Sequence, residues 1–245
     1  MKKTLILSLA LSLGGGMPLA AQATNPEQDL KEFRAYFMER FPDTPFEDFQ
    51  NGIYSVNEGR RMEWEAMMDF PPFEPGVDYG KELYEKDKAA YEGCLPNDGI
   101  GVRQNFPMFD AESGELVTLE GAINACREEA GLKPYGWKKG DLPAVVAYLA
   151  STSNGEEIAV EVPDDPRALD WYERGKQHFY SKRGQLNLSC ANCHVDSASM
   201  QIRADNLSPA LGHVTHFPVY RKKWEARGGG ITGGFGTLHR RYGGC

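Results

Sequence analysis

The sequence is short of the features that several common classes of protein require. Positive charge is scarce, with 27 Lys and Arg against 35 Asp and Glu, which argues against nucleic acid or an anionic membrane surface as a partner. The apolar run over residues 5–20 is short and contains three consecutive glycines, so we predict no membrane span. The alternating pattern of strands is also scarce, which predicts a mainly α protein.

Cysteine is uncommon as well, with five residues in 245, but the spacing of two of them is informative. Cys190, Cys193 and His194 form a C-x-x-C-H sequence. A zinc site would need a second pair of ligands, and His213 with His216 is spaced too closely to supply it. A redox dithiol would not need the adjacent histidine. The motif therefore predicts covalent attachment of haem c through both cysteines, with His194 as the proximal iron ligand.

The N-terminus has the pattern of a secretory signal peptide. Lys2 and Lys3 precede the apolar run, and Ala21-Gln22-Ala23 is a small-x-small cleavage pattern. We predict cleavage after Ala23, which changes the formal charge from −8 to about −10. An exported protein with haem c is expected in the periplasm, where its remaining cysteines can oxidise.

Helical periodicity predicts the main elements and one linker. The acidic stretch from Gly155 to Pro166 predicts the linker. The predicted helices cover 27–41 with Pro42 as the stop, 78–92, a segment capped by Thr118, a segment beginning at Asp141, and 167–182.

A weak internal repeat divides the chain into two halves. Gly80-Lys81 lies fourteen residues before Cys94, and Gly175-Lys176 lies fifteen residues before Cys190. The residues after Cys94 do not form an attachment motif. We therefore predict two cytochrome c-like domains, 24–160 without haem and 161–245 with haem.

The repeat also bears on how the second domain ends. In the first half, a helix beginning at Asp141 follows the second cysteine, Cys126. The second half should have a similar helix after Cys245, so we expect the second domain to be truncated in this sequence.

Three cysteines remain after haem attachment. Cys94 and Cys126 are the obvious disulfide pair in an exported domain. Cys245 is left over, and an unpaired cysteine in a secreted protein indicates a reactive or ligating thiol. Arg240 and Arg241 precede it and would create an anion site.

The sixth iron ligand is not decided by these motifs. The candidates are Met200, His213, His216, His239 and Cys245. Met200 is only six residues beyond His194, which favours a packing role. A His or Met ligand would be usual for an electron carrier.

Several segments together make the chain resemble the SoxA family, the cytochrome subunits of thiosulfate-oxidising SoxAX complexes. They extend over nearly the whole mature chain. The matching segments are Arg40-Phe41-Pro42, Phe46, Asp48-Phe49, Asn51-Gly52, Trp64-Glu65, Phe70-Pro71-Pro72, Ser189 to His194, Leu207 to Gly212, His216 to Arg221, and Gly236 to Tyr242 with Cys245.

The resemblance implies a set of site residues and an activity. It implies one haem c with His194 and Cys245 as axial ligands, Cys245 also as the catalytic sulfur, and Arg241 as the substrate-binding arginine. The implied enzyme is an L-cysteine S-thiosulfotransferase. It joins thiosulfate oxidatively to a cysteine of the SoxYZ carrier protein, and two electrons pass to a cytochrome c. A SoxX cytochrome is implied as the partner subunit.

Two other functions stay open from the residues. A simple electron-transfer cytochrome would have a His or Met sixth ligand and no role for Cys245. A haem peroxidase would leave the distal position open, but no sequence feature supports it. The arginines before Cys245 favour the thiosulfate-oxidising function.

Overall fold

The structure, a computed structural model, describes residues 25–203 and 205–243. The predicted signal peptide, residues 1–23, and the predicted ligand Cys245 lie outside the described residues. Within the described part the protein is mainly α-helical, and its strands pair only as short antiparallel ladders of two.

Nine α-helices lie in the described residues. They are α1 (Pro26–Arg40), α2 (Ile53–Val56), α3 (Glu58–Met68), α4 (Glu74–Lys86), α5 (Leu119–Glu129), α6 (Asp141–Ser151), α7 (Pro166–Tyr180), α8 (Lys222–Glu225) and α9 (Leu238–Tyr242). Shorter 3-10 turns include Phe46–Asn51, Lys88–Ala90, Pro96–Gly99, Arg103–Asn105, His213–His216 and Gly230–Thr232.

The strands form three hairpin-like pairs in the described residues. These are β1 (Met108–Asp110) with β2 (Glu115–Val117), β3 (Gln201–Ile202) with β4 (Asp205–Asn206), and β5 (Val219–Tyr220) with β6 (Phe235–Gly236).

The helix ends follow from local capping. The Thr118 hydroxyl accepts a hydrogen bond from the Gly121 amide at 3.1 Å, as expected of an N-cap. Helix α4 begins at Glu74, four residues before the predicted start at 78. Pro75 lies in its first turn, where a missing N–H costs nothing. The linker predicted from Gly155 to Pro166 has no helix or strand over residues 155–165, and its last residue, Pro166, begins α7.

The first half has a large core of its own. Helices α4 and α6 cross closely, because a Cβ on Gly80 would lie 2.0 Å from the Ala144 carbonyl oxygen. Cys94 and Cys126 form a disulfide beside this core. Thirteen buried residues form the cluster, among them Tyr84, Tyr91, Ile123, Leu142, Val145, Val146 and Leu149.

A buried ion pair completes the first half. The Arg127 guanidinium contacts the Asp87 carboxylate at 2.6 Å, with both side chains mostly buried. It also donates to the Tyr91 hydroxyl at 3.1 Å and covers the Tyr135 ring at 3.6 Å from its centroid. Because each polar group has a partner, the pair is tolerated inside the domain.

The second half has a smaller core, and the N-terminal segment contributes to it. Phe37 of α1 and Phe49 pack with Ala191, Val195 and Ala198. The predicted division at residue 160 stays a prediction. The packing adds that α1 shares a core with residues that follow position 160. None of the helices in the described ranges has the length and apolar character needed to cross a bilayer.

Candidate haem-attachment site

A short capped turn presents the C-x-x-C-H residues. The Ser189 and Asn192 side chains exchange hydrogen bonds with each other's backbone amides, both at 3.1 Å. The chain then forms a π-helical turn over Asn192–Asp196. Cys190, Cys193 and His194 are all half-buried on this turn, so the three residues of the motif share one wall of the second half.

The His194 ring has the tautomer that a metal ligand requires. Its Nδ1 lies 2.9 Å from the Ser208 carbonyl oxygen, which can only accept, so Nδ1 carries the proton. Burial lowers the pKa of His194, the bond to Ser208 opposes this, and the Arg241 charge lowers the pKa further. The ring is therefore neutral with a lone pair on Nε2, which is the form that binds iron. The residues fit a haem c.

Arg40 fixes the end of the turn. Its guanidinium donates to the carbonyl oxygens of Val195, of Asp196 at 2.9 Å and of Ala198 at 3.2 Å. These carbonyls lie at the C-terminal end of the π turn, where helical partners are missing. The last residue of α1 thus holds the attachment turn across 155 residues of sequence.

Three of the candidate sixth ligands have surroundings that do not favour binding to the iron. Met200 is 60 % exposed, so the prediction of a packing methionine is wrong, because β3 places the segment on the surface. His216 donates from Nε2 to the Gln50 carbonyl at 2.9 Å. His239 lies edge-on to the Trp137 ring, 5.2 Å between centroids, and so faces the first half.

His213 lies against His194, the predicted proximal ligand. Its ring stacks on the His194 ring with centroids 4.5 Å apart and planes inclined by 28°. Burial lowers the pKa of His213 to about 3, with further lowering from the neighbouring His194, His216 and Arg241 charges. His213 is therefore a neutral ring beside His194 at physiological pH.

The predicted substrate residue, Arg241, lies within electrostatic range of this site. Its charge lowers the pKa of both His194 and His213. Burial lowers the pKa of Arg221, Asp205 opposes that change, and Arg241 adds to it. Two guanidinium groups thus approach each other on the His194 side of α9, an arrangement that favours an anion.

Comparisons with known proteins show which family the chain belongs to. The family model "SoxA/TsdA, cytochrome c domain" matches residues 79–158. The L-cysteine S-thiosulfotransferase subunit SoxA of Chlorobaculum tepidum is 48 % identical over 89 % of this chain and 74 % of its own length. The subunit of the same name from Allochromatium vinosum is 41 % identical over 100 % of this chain and 85 % of its own. The chain belongs to the SoxA family.

A solved structure extends the comparison to the fold. The crystal structure of SoxXA from P. pantotrophus has a chain 30 % identical to this one, with a TM-score of 0.59. The match covers 71 % of this chain and 64 % of that chain. The predicted SoxA resemblance and the mainly α, cytochrome c-like fold are therefore confirmed.

The family model matches the half of this SoxA-family chain that has no attachment motif. Residues 79–158 contain Cys94 and Cys126, but C-x-x-C-H occurs only at 190–194. The disulfide and the pair of Arg127 with Asp87 lie in this half. A cytochrome c domain implies haem c, and the sequence of this SoxA-family member offers one place to attach it.

Sequence reasoning missed three contributors to the site. Arg40 and Arg221 lie in the segments that matched the family, yet no role was assigned to either. The Ser208 carbonyl was also missed, because a backbone acceptor has no sequence signal of its own.

Proposed function

We propose that this chain is the haem-bearing subunit of an L-cysteine S-thiosulfotransferase. The observation that supports it most is the state of His194, a neutral ring whose Nδ1–H is bound to Ser208 while the Arg241 charge acts on it. The ring can bind iron at a site that also attracts an anion. Membership of the SoxA family supports thiosulfate as that anion.

Each predicted site residue has a defined role in this proposal. Cys190 and Cys193 would hold one haem c as thioethers, and His194 would be a ligand of its iron. Cys245 would be the second ligand and also the catalytic sulfur. When bound, the haem would supply a one-electron redox centre. Arg241 binds thiosulfate, since a planar guanidinium makes paired hydrogen bonds to an oxyanion.

The reaction balances as an oxidative coupling. An S–S bond forms between the thiol sulfur of a SoxYZ cysteine and the sulfane sulfur of thiosulfate. The thiol loses its proton, and two electrons pass to an external cytochrome c. In this proposal the two-electron oxidation first joins the sulfane sulfur of thiosulfate to the sulfur of Cys245. The carrier thiolate then attacks that sulfane sulfur, takes the whole –S–SO3 group and releases Cys245 as a thiolate.

The partners and compartment are part of the same proposal. The chain would pair with a SoxX cytochrome in the periplasm, after cleavage behind Ala23. The structural match to a SoxXA chain supports the SoxX pairing. The alternative of a simple electron carrier has less support, because Met200 is exposed and His216 is bound to the Gln50 carbonyl.

Two substitutions test the proposal in the full chain with its partner subunit. Cys245→Ala should remove the low-spin thiolate signal from the EPR spectrum of the ferric protein. Arg241→Ala should raise the KM for thiosulfate by about 10- to 100-fold, the cost of losing a charged hydrogen-bond partner. The assay measures thiosulfate-dependent mass gain on the carrier protein.

Arg227→Ala is the matched control for Arg241→Ala, since Arg227 is exposed and has no role in the site. It should leave the KM unchanged. An EPR spectrum that Cys245→Ala does not alter, or equal KM values for the two arginine variants, would overturn the proposed roles.

A further inference from the structure

Two contacts of different kinds hold the His194 ring. The hydrogen bond from Nδ1 to the Ser208 carbonyl, 2.9 Å long, fixes one edge of the ring. A ring held only at one edge can still tilt about that bond. The stacked His213 ring covers one face of His194 at a centroid distance of 4.5 Å, which opposes the tilt.

His213 is itself held firmly. Its amide donates to the Ala210 carbonyl at 3.1 Å, and its ring meets the edge of Phe217 at 5.8 Å between centroids. The preceding Gly212 has φ +75°, and a Cβ there would lie 2.0 Å from the Phe49 carbonyl oxygen. The turn His213–His216 is therefore pressed against the 3-10 turn Phe46–Asn51.

The other end of the turn has a second anchor. The Thr215 hydroxyl donates to the Gln50 carbonyl at 2.7 Å, and His216 donates to the same oxygen at 2.9 Å. Beyond it, the Tyr54 ring stacks between His216 and Trp64, with centroids at 6.2 and 5.4 Å. The ring of His213 thus rests on a packed aromatic row and cannot move away from His194 freely.

We propose that His213 is a positioning residue that sets the orientation of the proximal imidazole by stacking on its face. The role rests on the proposed function only in requiring that His194 bind haem iron. The hydrogen bond to Ser208 and the stack together define the plane of the His194 ring. That plane determines how the ligand orbitals lie over the four pyrrole nitrogens.

In this inference the flat His213 ring holds His194 by stacking, and the ring nitrogens of His213 are not needed for that contact. Within residues 25–203 and 205–243, we find aromatic contacts but no hydrogen bond to the His213 ring. His213→Phe keeps a flat ring of similar size at the same place. His213→Leu keeps apolar volume without a ring, and His213→Gln keeps hydrogen-bonding groups without a ring.

The experiment uses the full chain with haem, as its ferric cyanide adduct. Cyanide fills the distal position, so the NMR shifts of the haem methyl groups report the orientation of the proximal imidazole and not the state of Cys245. We expect His213→Phe to retain the wild-type pattern of methyl shifts. We expect His213→Leu and His213→Gln to change the order or spread of these shifts.

Met200→Leu is the control, because Met200 is exposed and close to His194 in sequence. It should leave the pattern unchanged. A wild-type pattern in either the Leu or the Gln variant would overturn the inference, and so would a Phe variant as altered as those two. If the haemochrome spectrum shows no covalent haem in the wild-type chain, the proposed function fails and this inference fails with it.

Discussion

Helices α4 and α7 have the same Gly-Lys pair at nearly the same distance before a cysteine, but they pack differently. Around Gly80, α6 lies so close that a Cβ would meet the Ala144 carbonyl oxygen at 2.0 Å. Around Gly175, no atom of the described residues lies within 4 Å of a Cβ built there. The aromatic residue four positions on repeats the difference, since Tyr84 is buried and Phe179 is half-buried.

The difference shows that the two halves of the chain are stabilised in different ways. The first half closes its core with protein atoms: a helix crossing, a disulfide and a buried ion pair. The second half has a cluster of five buried residues against thirteen in the first. A small core needs other support, and here α1, the Arg40 contacts and an attached haem would supply it.

Removing the disulfide should have the largest effect and should be confined to the first half. In the variant Cys94→Ser with Cys126→Ala, we expect a loss of about 3 to 4 kcal/mol in the free energy of unfolding, because a loop of 32 residues is no longer closed. Hydrogen exchange would measure it. Amides of α5 and α6 should lose protection. Equal losses in α7 would contradict the expectation that the disulfide stabilises the first half alone.

Arg40→Ala should lower the stability of the second half. Three backbone carbonyls lose a charged donor, and we expect a loss of about 2 kcal/mol in stability around the attachment turn. Urea unfolding followed at the haem absorption would measure this loss. Arg34→Ala is the control, since Arg34 is exposed and should change stability by less than about 0.5 kcal/mol.

The two glycines allow a direct test of the packing difference. Gly80→Ala should destabilise the protein by about 1 to 3 kcal/mol, because α4 and α6 must separate to admit the methyl group. Gly175→Ala should be neutral, or stabilise α7 by up to about 1 kcal/mol through helix propensity. Thermal unfolding of both variants measures the contrast, and similar losses in the two would contradict it.

The smallest expected effect depends on pH. The hydrogen bond from Lys176 lowers the pKa of Asp29, burial opposes it, and the Tyr172 hydroxyl lowers it further. This contact between α1 and α7 therefore stabilises the fold above the usual pKa of an aspartate. Its contribution is lost as pH falls through the lower folded value.

Asp29→Asn should cost about 0.5 kcal/mol at neutral pH, as expected of a partly exposed ion pair. The difference from the wild-type protein should shrink as pH falls below the usual pKa of an aspartate, because the Asp29 carboxylate becomes protonated. Urea unfolding across this range measures it, and a difference that is constant with pH would argue against the ion pair.

Local signals in the sequence were sufficient for five of the nine described helices, α1, α4, α5, α6 and α7. The start of α6 at Asp141 and the cap at Thr118 follow from neighbouring residues. The attachment motif, too, is local, and so was predictable. The start of α4 was predicted four residues too late, because a proline such as Pro75 is tolerated in the first turn of a helix.

Contacts between distant segments could not be predicted in the same way. The stack of His213 on His194, the Ser208 acceptor and the Arg40 contacts depend on how 25–68 and 189–216 meet. Met200 shows the same limit, because a two-residue strand that places it on the surface has almost no signal of its own.

The Arg40 contacts also have a consequence for the order of folding. Arg40 and its acceptor Val195 are separated by 155 residues, and the whole first half is inserted between them. During synthesis α1 emerges early and lacks this partner until the attachment turn follows. Contacts of long sequence separation form slowly. The first half, whose contacts are more local, can therefore fold before Arg40 meets its acceptors. We therefore expect the contacts of Arg40 with the turn at Val195 to form late in folding, after the more local contacts of the residues that lie between them.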